Sequence, residues 1–260
     1  MGRRDRDIRV FRKLVDTVGG DAVSQTHPGR LAVEIGKFFI GRPYASGTLE
    51  APGTERLVVN LRAFDCFTFV ENVVALTGLL QSGNRSFLRF RKLLQRIRYR
   101  GGRLRGYPSR LHYFSEWVSD NAGKGLIRDV TAETGGRPYK KTINFMTENP
   151  GLCPAIKKKD HLRRMRTVEK AISKNPLFII PKERLRRVEG RIREGDVIAV
   201  ATDRKGLDVQ HVGLAVTVRG RIHMLHASSI QGKVVLSRET LYRYLMGSKK
   251  RTGVMVARVG

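Results

Sequence analysis

An α+β fold is what this sequence predicts, with helices filling the first part and an antiparallel sheet closing the chain. Apolar residues recur at spacings of three and four through the first hundred residues, the mark of helices with one buried face. The period changes to two in the last third, where short apolar runs alternate with Gly-containing turns. Between these regimes one cysteine, Cys66, stands where a polar, turn-like approach becomes a long helical segment.

Each element has its own justification. Asp7 to Val18 carries Ile8, Phe11, Leu14, Val15 and Val18 on one face and is closed by Gly19-Gly20. A second helix starts near Pro28, carries Leu31, Ile35, Phe38 and Phe39, and ends before Gly41-Arg42-Pro43. Tyr44 to Glu50 reads as a loop, and Leu57-Val58-Val59-Asn60 is a short apolar run leading towards Cys66. Asp65 is a favoured N-cap residue, so Cys66 falls in the first turn of a helix that carries Phe69, Val70, Val73, Leu76 and Leu80 and ends before Gly83. There the unpaired N–H groups and the helix dipole favour a thiolate and can hold an oxyanion.

Phe87 to Ile97 is a further helix that gives way at Gly101-Gly102. Ser109 to Trp117, dense in aromatics, reads as a packed helix with Leu111, Phe114 and Val118 on the core side. Its polar set, Arg110, His112 and Glu116, is placed to line a cleft. From Asp120 to Pro154 the abundance of Gly, Thr and Asn predicts a long irregular excursion. Lys159 to Ser173 is a basic amphipathic helix. The strands follow: Gly195 to Val200, then Val209 to Val218 and Arg221 to Ala227 joined at Arg219-Gly220, then Gly232 to Leu236 and Val254 to Arg258.

Composition narrows the function classes. The 260 residues are 40% hydrophobic, enough for one large core, and no apolar run is long enough to span a bilayer, so no integral membrane segment is expected. Lys and Arg number 51 against 23 Asp and Glu, a formal charge of +28, which predicts non-specific attraction to polyanions. The basic residues are scattered, with runs only at Lys157-Lys158-Lys159 and Lys249-Lys250-Arg251. No zinc-finger spacing, RNA-recognition signature or basic-zipper heptad accompanies them, so no specific nucleic-acid partner is expected. Cys66 and Cys153 are far apart and form no Cys-x-x-Cys pair, which argues against a disulfide framework and a structural zinc site. Cys153 lies in a Pro-Gly loop and reads as inert. The basic start of the chain has no apolar stretch after it, so no signal peptide is visible.

Strand periodicity sorts the histidines. With Val212, Leu214 and Val216 on one face, His211 falls on the other beside Gly213 and Ala215, whose small size leaves room for another backbone such as a helix start. On the returning strand Ile222, Met224 and His226 share a face and His223 points away. A turn at Arg219-Gly220 makes His211 and His226 near cross-strand neighbours, within a bulge or a diagonal step. A thiol enzyme needs a cysteine nucleophile, a histidine base and a third polar group to orient the base, and Cys66, His211 and His226 supply that set. A Cys-His-His zinc site is the competing use of the same ligands, without the ligand spacing of a zinc motif.

The motifs Arg42-Pro43-Tyr44, Gly47-Thr48-Leu49-Glu50, Asn60-Leu61, Phe64-Asp65-Cys66-Phe67-Thr68-Phe69-Val70-Glu71, Ser109 to Trp117, Gly195 to Ala199, Gly206 to Gly213 and His226-Ala227-Ser228-Ser229 run in order from about residue 40 to the C-terminus. On them the chain resembles the NlpC/P60 superfamily of papain-like cysteine hydrolases, and more closely its DUF1460 branch, which is N-acetylmuramoyl-L-alanine amidase-like. The resemblance implies one catalytic domain over 1–260: N-terminal helices to residue 40, a nucleophile segment over 41–100, an insertion with substrate-facing elements over 101–190, and a sheet with the catalytic histidines over 191–260. It implies Cys66 as nucleophile, His211 as base and His226 as orienting residue. It also implies Tyr44 near the oxyanion and Asp65, Arg110 and His112 towards substrate. The expected substrate is a muropeptide fragment of peptidoglycan, with no cofactor and no metal. An extracytoplasmic site of action is expected if a signal segment has been removed. Two alternatives stand beside this: an endopeptidase cutting between D-glutamate and the diamino acid of the stem peptide, and a basic module binding wall polymer or nucleic acid. The intact Cys66, His211 and His226 set speaks against the second.

Overall fold

A computed structural model describes residues 2–20, 23–50 and 53–260, so Met1 of the basic start lies outside it. The first half supplies α1 (Arg3–Val18), α2 (Pro28–Phe38), α3 (Cys66–Gln81), α4 (Phe87–Arg98) and α5 (Phe114–Gly123). Two short strands, β1 (Ile127–Asp129) and β2 (Arg137–Tyr139), lead to α6 (Phe145–Glu148) and α7 (Lys159–Lys174). Then come β3 (Leu177–Pro181), α8 (Leu185–Val188), β4 (Val197–Thr202), β5 (Val209–Val218), β6 (Arg221–Ser228), β7 (Lys233–Thr240), α9 (Leu241–Met246) and β8 (Arg251–Val259). The eight strands form an antiparallel sheet in the order β2-β3-β8-β4-β5-β6-β7, with β1 also on β8. The fold is α+β, as the two periodicities require.

Side-chain alternation divides the interior. On one face Val212, Leu214, Val216, Leu225 and Ala227 pack with Leu31, Ile35, Phe69, Val73 and Leu76 of α2 and α3. On the other Ala215, Ile222, Met224, Val254 and Val256 pack with Leu185 of α8 and with Leu241 and Leu245 of α9. Central β4 serves both layers and is buried at every position, which is why it reads as an unbroken apolar run. The helical layer sits directly on the sheet. Gly195, at the turn before β4, has φ +78°, and a Cβ there would come within 2.0 Å of the Gly29 carbonyl oxygen at the start of α2.

Several elements depart from the sequence reading. The aromatic segment is not helical from Ser109: Tyr107–Ser109 is a single 3₁₀ turn, and α5 begins only at Phe114. The reason is the cap. The Ser115 N–H and hydroxyl both donate to the buried Asp208 carboxylate, 2.8 Å each, so the helix starts where Asp208 can receive its first turn. The excursion after Asp120 contains β1, β2 and α6, and β3 and α9 have no counterpart in the periodicity. Each is too short for a period to register: three to six residues, β3 lying between Pro176 and its own Pro181.

A buried ion pair fixes α3. Arg98 Nε donates to Glu71 Oε2 at 2.7 Å, both side chains being 1% exposed. Arg98 Nη1 also donates to the Val58 carbonyl at 2.6 Å, tying α3, α4 and the approach to Cys66 into one unit. Removing one partner strands the other charge in a site that cannot hydrate it. Arg98→Met is therefore expected to cost about 3–5 kcal/mol in denaturant unfolding, and Glu71→Met with Arg98→Met together less than Arg98→Met alone. An Arg98→Met protein of wild-type stability would contradict this.

Candidate active site

Cys66 opens α3 as Asp65 caps it: the Thr68 N–H donates to Asp65 Oδ1 at 2.7 Å, and the Asp65 N–H returns to Thr68 Oγ1 at 3.0 Å. The cap consumes the third N–H of the helix and leaves those of Cys66 and Phe67 turned towards the sulfur. The helix start is received by β5. The hairpin turn at Arg219 and Gly220, with φ of 49° and 73°, has the type I′ signs that a two-residue hairpin demands. From it the β5–β6 ladder runs back from Val218↔Arg221 to Leu214↔Leu225 and goes no further. Continued, it would have spent the Val212 N–H on β6. The Val212 amide instead acts on the Cys66 thiol, as one of the groups that favour its ionised form.

His211 and His226 lie on the face opposite the helices, where His211 Nε2 and His226 Nδ1 are 2.6 Å apart with their rings edge to face. Gly213 makes this possible. A Cβ there would meet His226 Cβ and the Leu225 carbonyl oxygen, each at 2.9 Å. The room beside His211 is thus filled by its partner histidine, whereas the helix start approaches along the free edge of the strand. His223 points to the other face, its Nδ1 2.9 Å from the Ser237 carbonyl. Asp208 anchors the start of β5 as it caps α5, and the Val209 N–H donates to it at 2.8 Å.

Electrostatics hold the pair neutral. Burial, then the neighbouring Asp65 carboxylate, push the Cys66 thiol up to about 12, although the N–H groups of Val212, Phe67 and Cys66 itself act the other way. Burial, then His226 and Arg251, bring His211 down to about 3, and burial brings His226 down to about 4. The expected thiolate is therefore not the resting state: three amide dipoles do not offset desolvation of a whole charge. Tyr44 is electrostatically coupled to Cys66: burial, then Cys66 and Asp65, raise its hydroxyl. Its N–H donates to Gly232 at 2.7 Å and it bridges in parallel to Phe64, which holds it beside the helix start.

Arg110 and His112 have internal partners. Arg110, 4% exposed, pairs with Glu50 at 2.5 Å, donates to the Leu49 carbonyl at 3.2 Å and lies 4.7 Å over the Tyr107 ring. His112 Nε2 donates to the Tyr107 carbonyl at 3.1 Å, and burial, then Arg110, lower its imidazole to about 3. Neither lines the 220 Å³ cavity that contains His211 and His226. That cavity holds two residues the periodicity did not flag, Tyr244 of α9 and Arg251 at the start of β8. Arg251 looked like the end of a surface charge run, and the six-residue α9 has no legible period. Cys153 is a free thiol apart from this group, raised mainly by burial. Among the described residues no three His, Cys, Asp or Glu side chains converge as metal ligands, and no helix is long and apolar enough to cross a membrane.

Comparison with known proteins gives a consistent family. Residues 34–254 match the family model described as N-acetylmuramoyl-L-alanine amidase-like. A crystal structure of an N-acetylmuramoyl-L-alanine amidase from Bacteroides uniformis is 34% identical, covers 90% of this chain and 99% of its own, and superposes with a TM-score of 0.85. A Bacteroides fragilis structure described provisionally as a xylanase is 39% identical, with 86% of this chain and 98% of that one covered and a TM-score of 0.80. A Legionella pneumophila protein of the DUF1460 family, 21% identical, shares the fold over 99% of this chain and 97% of its own with a TM-score of 0.75. No curated protein sequence matches.

The neutral pair has a direct signature. Alkylation of Cys66 by iodoacetamide, followed by peptide mapping, is expected to accelerate about tenfold per pH unit from 7 to 10 without a plateau. A rate constant across pH 5–8 would mean a resting thiolate–imidazolium pair. Both imidazoles are neutral when folded and bind protons near 6.5 when unfolded, so unfolding takes up protons below that value. Stability is present above about pH 6.5 and falls on acidification towards the folded values near 3 and 4, to be read as a declining Tm.

Proposed function

The chain belongs to the N-acetylmuramoyl-L-alanine amidase-like family, and on that premise we propose that it is a cysteine-dependent amidase of NlpC/P60, papain-like type. Its reaction is hydrolysis of the amide between the lactyl group of N-acetylmuramic acid and L-alanine in peptidoglycan fragments. The observation that carries the reading is the 2.6 Å hydrogen bond between His211 and His226, with a helix-start cysteine whose thiol is acted on by the Val212 amide next to His211.

In this reading His211 Nε2–H donates to His226 Nδ1, which leaves His211 Nδ1 free to accept the thiol proton as sulfur attacks the lactyl carbonyl. His226 stays neutral and orients the base, and its acceptor nitrogen stabilises the imidazolium that forms. The Cys66 N–H and the Tyr44 hydroxyl, kept protonated by its raised pKa, are the donors for the oxyanion. Collapse of the adduct breaks the C–N bond as His211 returns its proton to the leaving amine of L-alanine. Water then hydrolyses the thioester with His211 as base. The chemistry needs neither metal nor organic cofactor. Asp65 acts by capping the nucleophile's helix, and Arg110 with His112 holds Leu49, Glu50 and Tyr107 in place.

The proposed setting is extracytoplasmic, in a single catalytic domain, and the basic surface serves as a screened attraction to acidic wall polymers. Lys157, Lys158, Lys159, Lys249 and Lys250 are exposed and available for that role.

Digestion of defined muropeptides with product masses tests the bond. Free stem peptides beginning at L-alanine are the expected products, whereas fragments cut after D-glutamate would move the chain to the endopeptidase class. Cys66→Ala and His211→Ala should each lose about a thousandfold or more in kcat, and His226→Ala about tenfold to a hundredfold. Chelation by EDTA should leave turnover unchanged. Loss on chelation with recovery on added zinc would favour a zinc site.

A further inference from the structure

Arg251 is a cation turned into the catalytic cavity rather than out to solvent. Its neighbours in the charge run, Lys249 and Lys250, are exposed, while Arg251 is half-buried and lines the same 220 Å³ cavity as Gln210, His211, His226, Ser228 and Tyr244. Its guanidinium lies 3.7 Å over the Tyr244 ring, and that ring stands 6.2 Å from His211 and 6.3 Å from His226. Nη1 donates to the Tyr244 carbonyl. The stack and this one hydrogen bond hold the guanidinium at the cavity and leave it further N–H donors. Among the described residues no carboxylate lies within ion-pairing distance of Arg251, whereas Arg62, Arg98, Arg110, Arg221 and Arg258 all have such a partner.

A larger cavity of about 570 Å³ shares Gln210 with the first and is lined also by Thr202, Asp203, Arg204, Leu207, Val209 and Lys250. Two basic groups flank Asp203, so this cavity is net positive, and it suits a chain with more than one carboxylate.

We infer that Arg251 is a substrate-binding and specificity-determining residue that takes the first free carboxylate of the leaving peptide, one residue beyond the scissile amide. This deepens the amidase reading and rests on it. In a stem peptide whose second residue is a γ-linked glutamate, that group is the glutamate α-carboxylate. A planar guanidinium held by stacking offers it two parallel N–H donors, and a carboxamide at the same position can accept only through one uncharged oxygen. Replacing the carboxylate by its amide also leaves a desolvated cation without a counter-charge. The electrostatics agree with the geometry. Arg251 is one of the charges that keep His211 unprotonated, and a carboxylate bound there would relax that pressure when the base must accept a proton.

The experiment uses two substrates with the whole chain, N-acetylmuramoyl-L-alanyl-γ-D-glutamyl-L-lysine and its glutamate α-carboxamide, in which the glutamate γ-carboxyl is amide-linked. Wild type is expected to prefer the acid by about tenfold to a hundredfold in kcat/KM, mostly through KM. Arg251→Met should bring the acid-to-amide ratio near one, and Arg251→Lys should restore part of it. Equal use of the two substrates by wild type, or a ratio unchanged in Arg251→Met, would overturn the assignment and leave the amidase reading standing. Cleavage of neither substrate by wild type would overturn the amidase reading and the assignment with it. The wild-type ratio decides the matter even if Arg251→Met fails to fold.

Discussion

The start of α3 meets β5 at an edge that β6 has left open, and the arrangement of the site depends on that single docking contact. An antiparallel ladder that ends at Leu214↔Leu225 leaves the Val212 N–H without a partner on β6, and the Val212 amide is one of the groups that favour the ionised form of Cys66. Gly213 lets His226 and the Leu225 carbonyl lie against β5, each 2.9 Å from where a Cβ would be. Cysteine arrives from the helical layer and the histidines from the opposite face.

The remaining strong interactions keep this junction from relaxing. Asp65 fixes which N–H groups of α3 stay free, the Glu71–Arg98 pair holds the helix against α4 and the Val58 approach, and Asp208 locks β5 to α5 one strand turn before His211. Each removes polar groups from water and so contributes modest net stability, but breaking any one is costly because its partner is left buried. Burial also decides the resting protonation. A thiol raised to about 12 and an imidazole lowered to about 3 keep the proton on sulfur at rest. The proposed mechanism therefore moves that proton during attack, with N–H donors for the charge that develops later.

Much of this was legible in the chain. Asp65 followed by a 3.6-period apolar segment determines a helix beginning at Cys66, and alternation in two strands joined by Arg219-Gly220 places His211 and His226 on one face a diagonal step apart. These features depend on local periodicity, which a sequence carries directly. The start of α5 was not legible, since its cap, Asp208, lies 93 residues away from Ser115. The same holds for Arg110 and Glu50, 60 residues apart, whose pairing turns an apparent cleft residue inward. Arg251 and Tyr244 could not be told from surface residues because their placement depends on how α9 and β8 cross the sheet. The resting thiol escaped a reading based on the helix dipole because burial is a tertiary quantity.

The central claim is that Cys66 bonds covalently to the muramoyl side of the substrate. Rapid-quench mixing of His226→Ala with a defined muropeptide, then peptide-mapped mass spectrometry, measures this directly. The account predicts an adduct on the Cys66 peptide with the mass of the acylating muramoyl group, formed at the rate of peptide release and lost on hydroxylamine treatment. Turnover with Cys66 unmodified at every time point, or an adduct carrying the stem peptide, would contradict it.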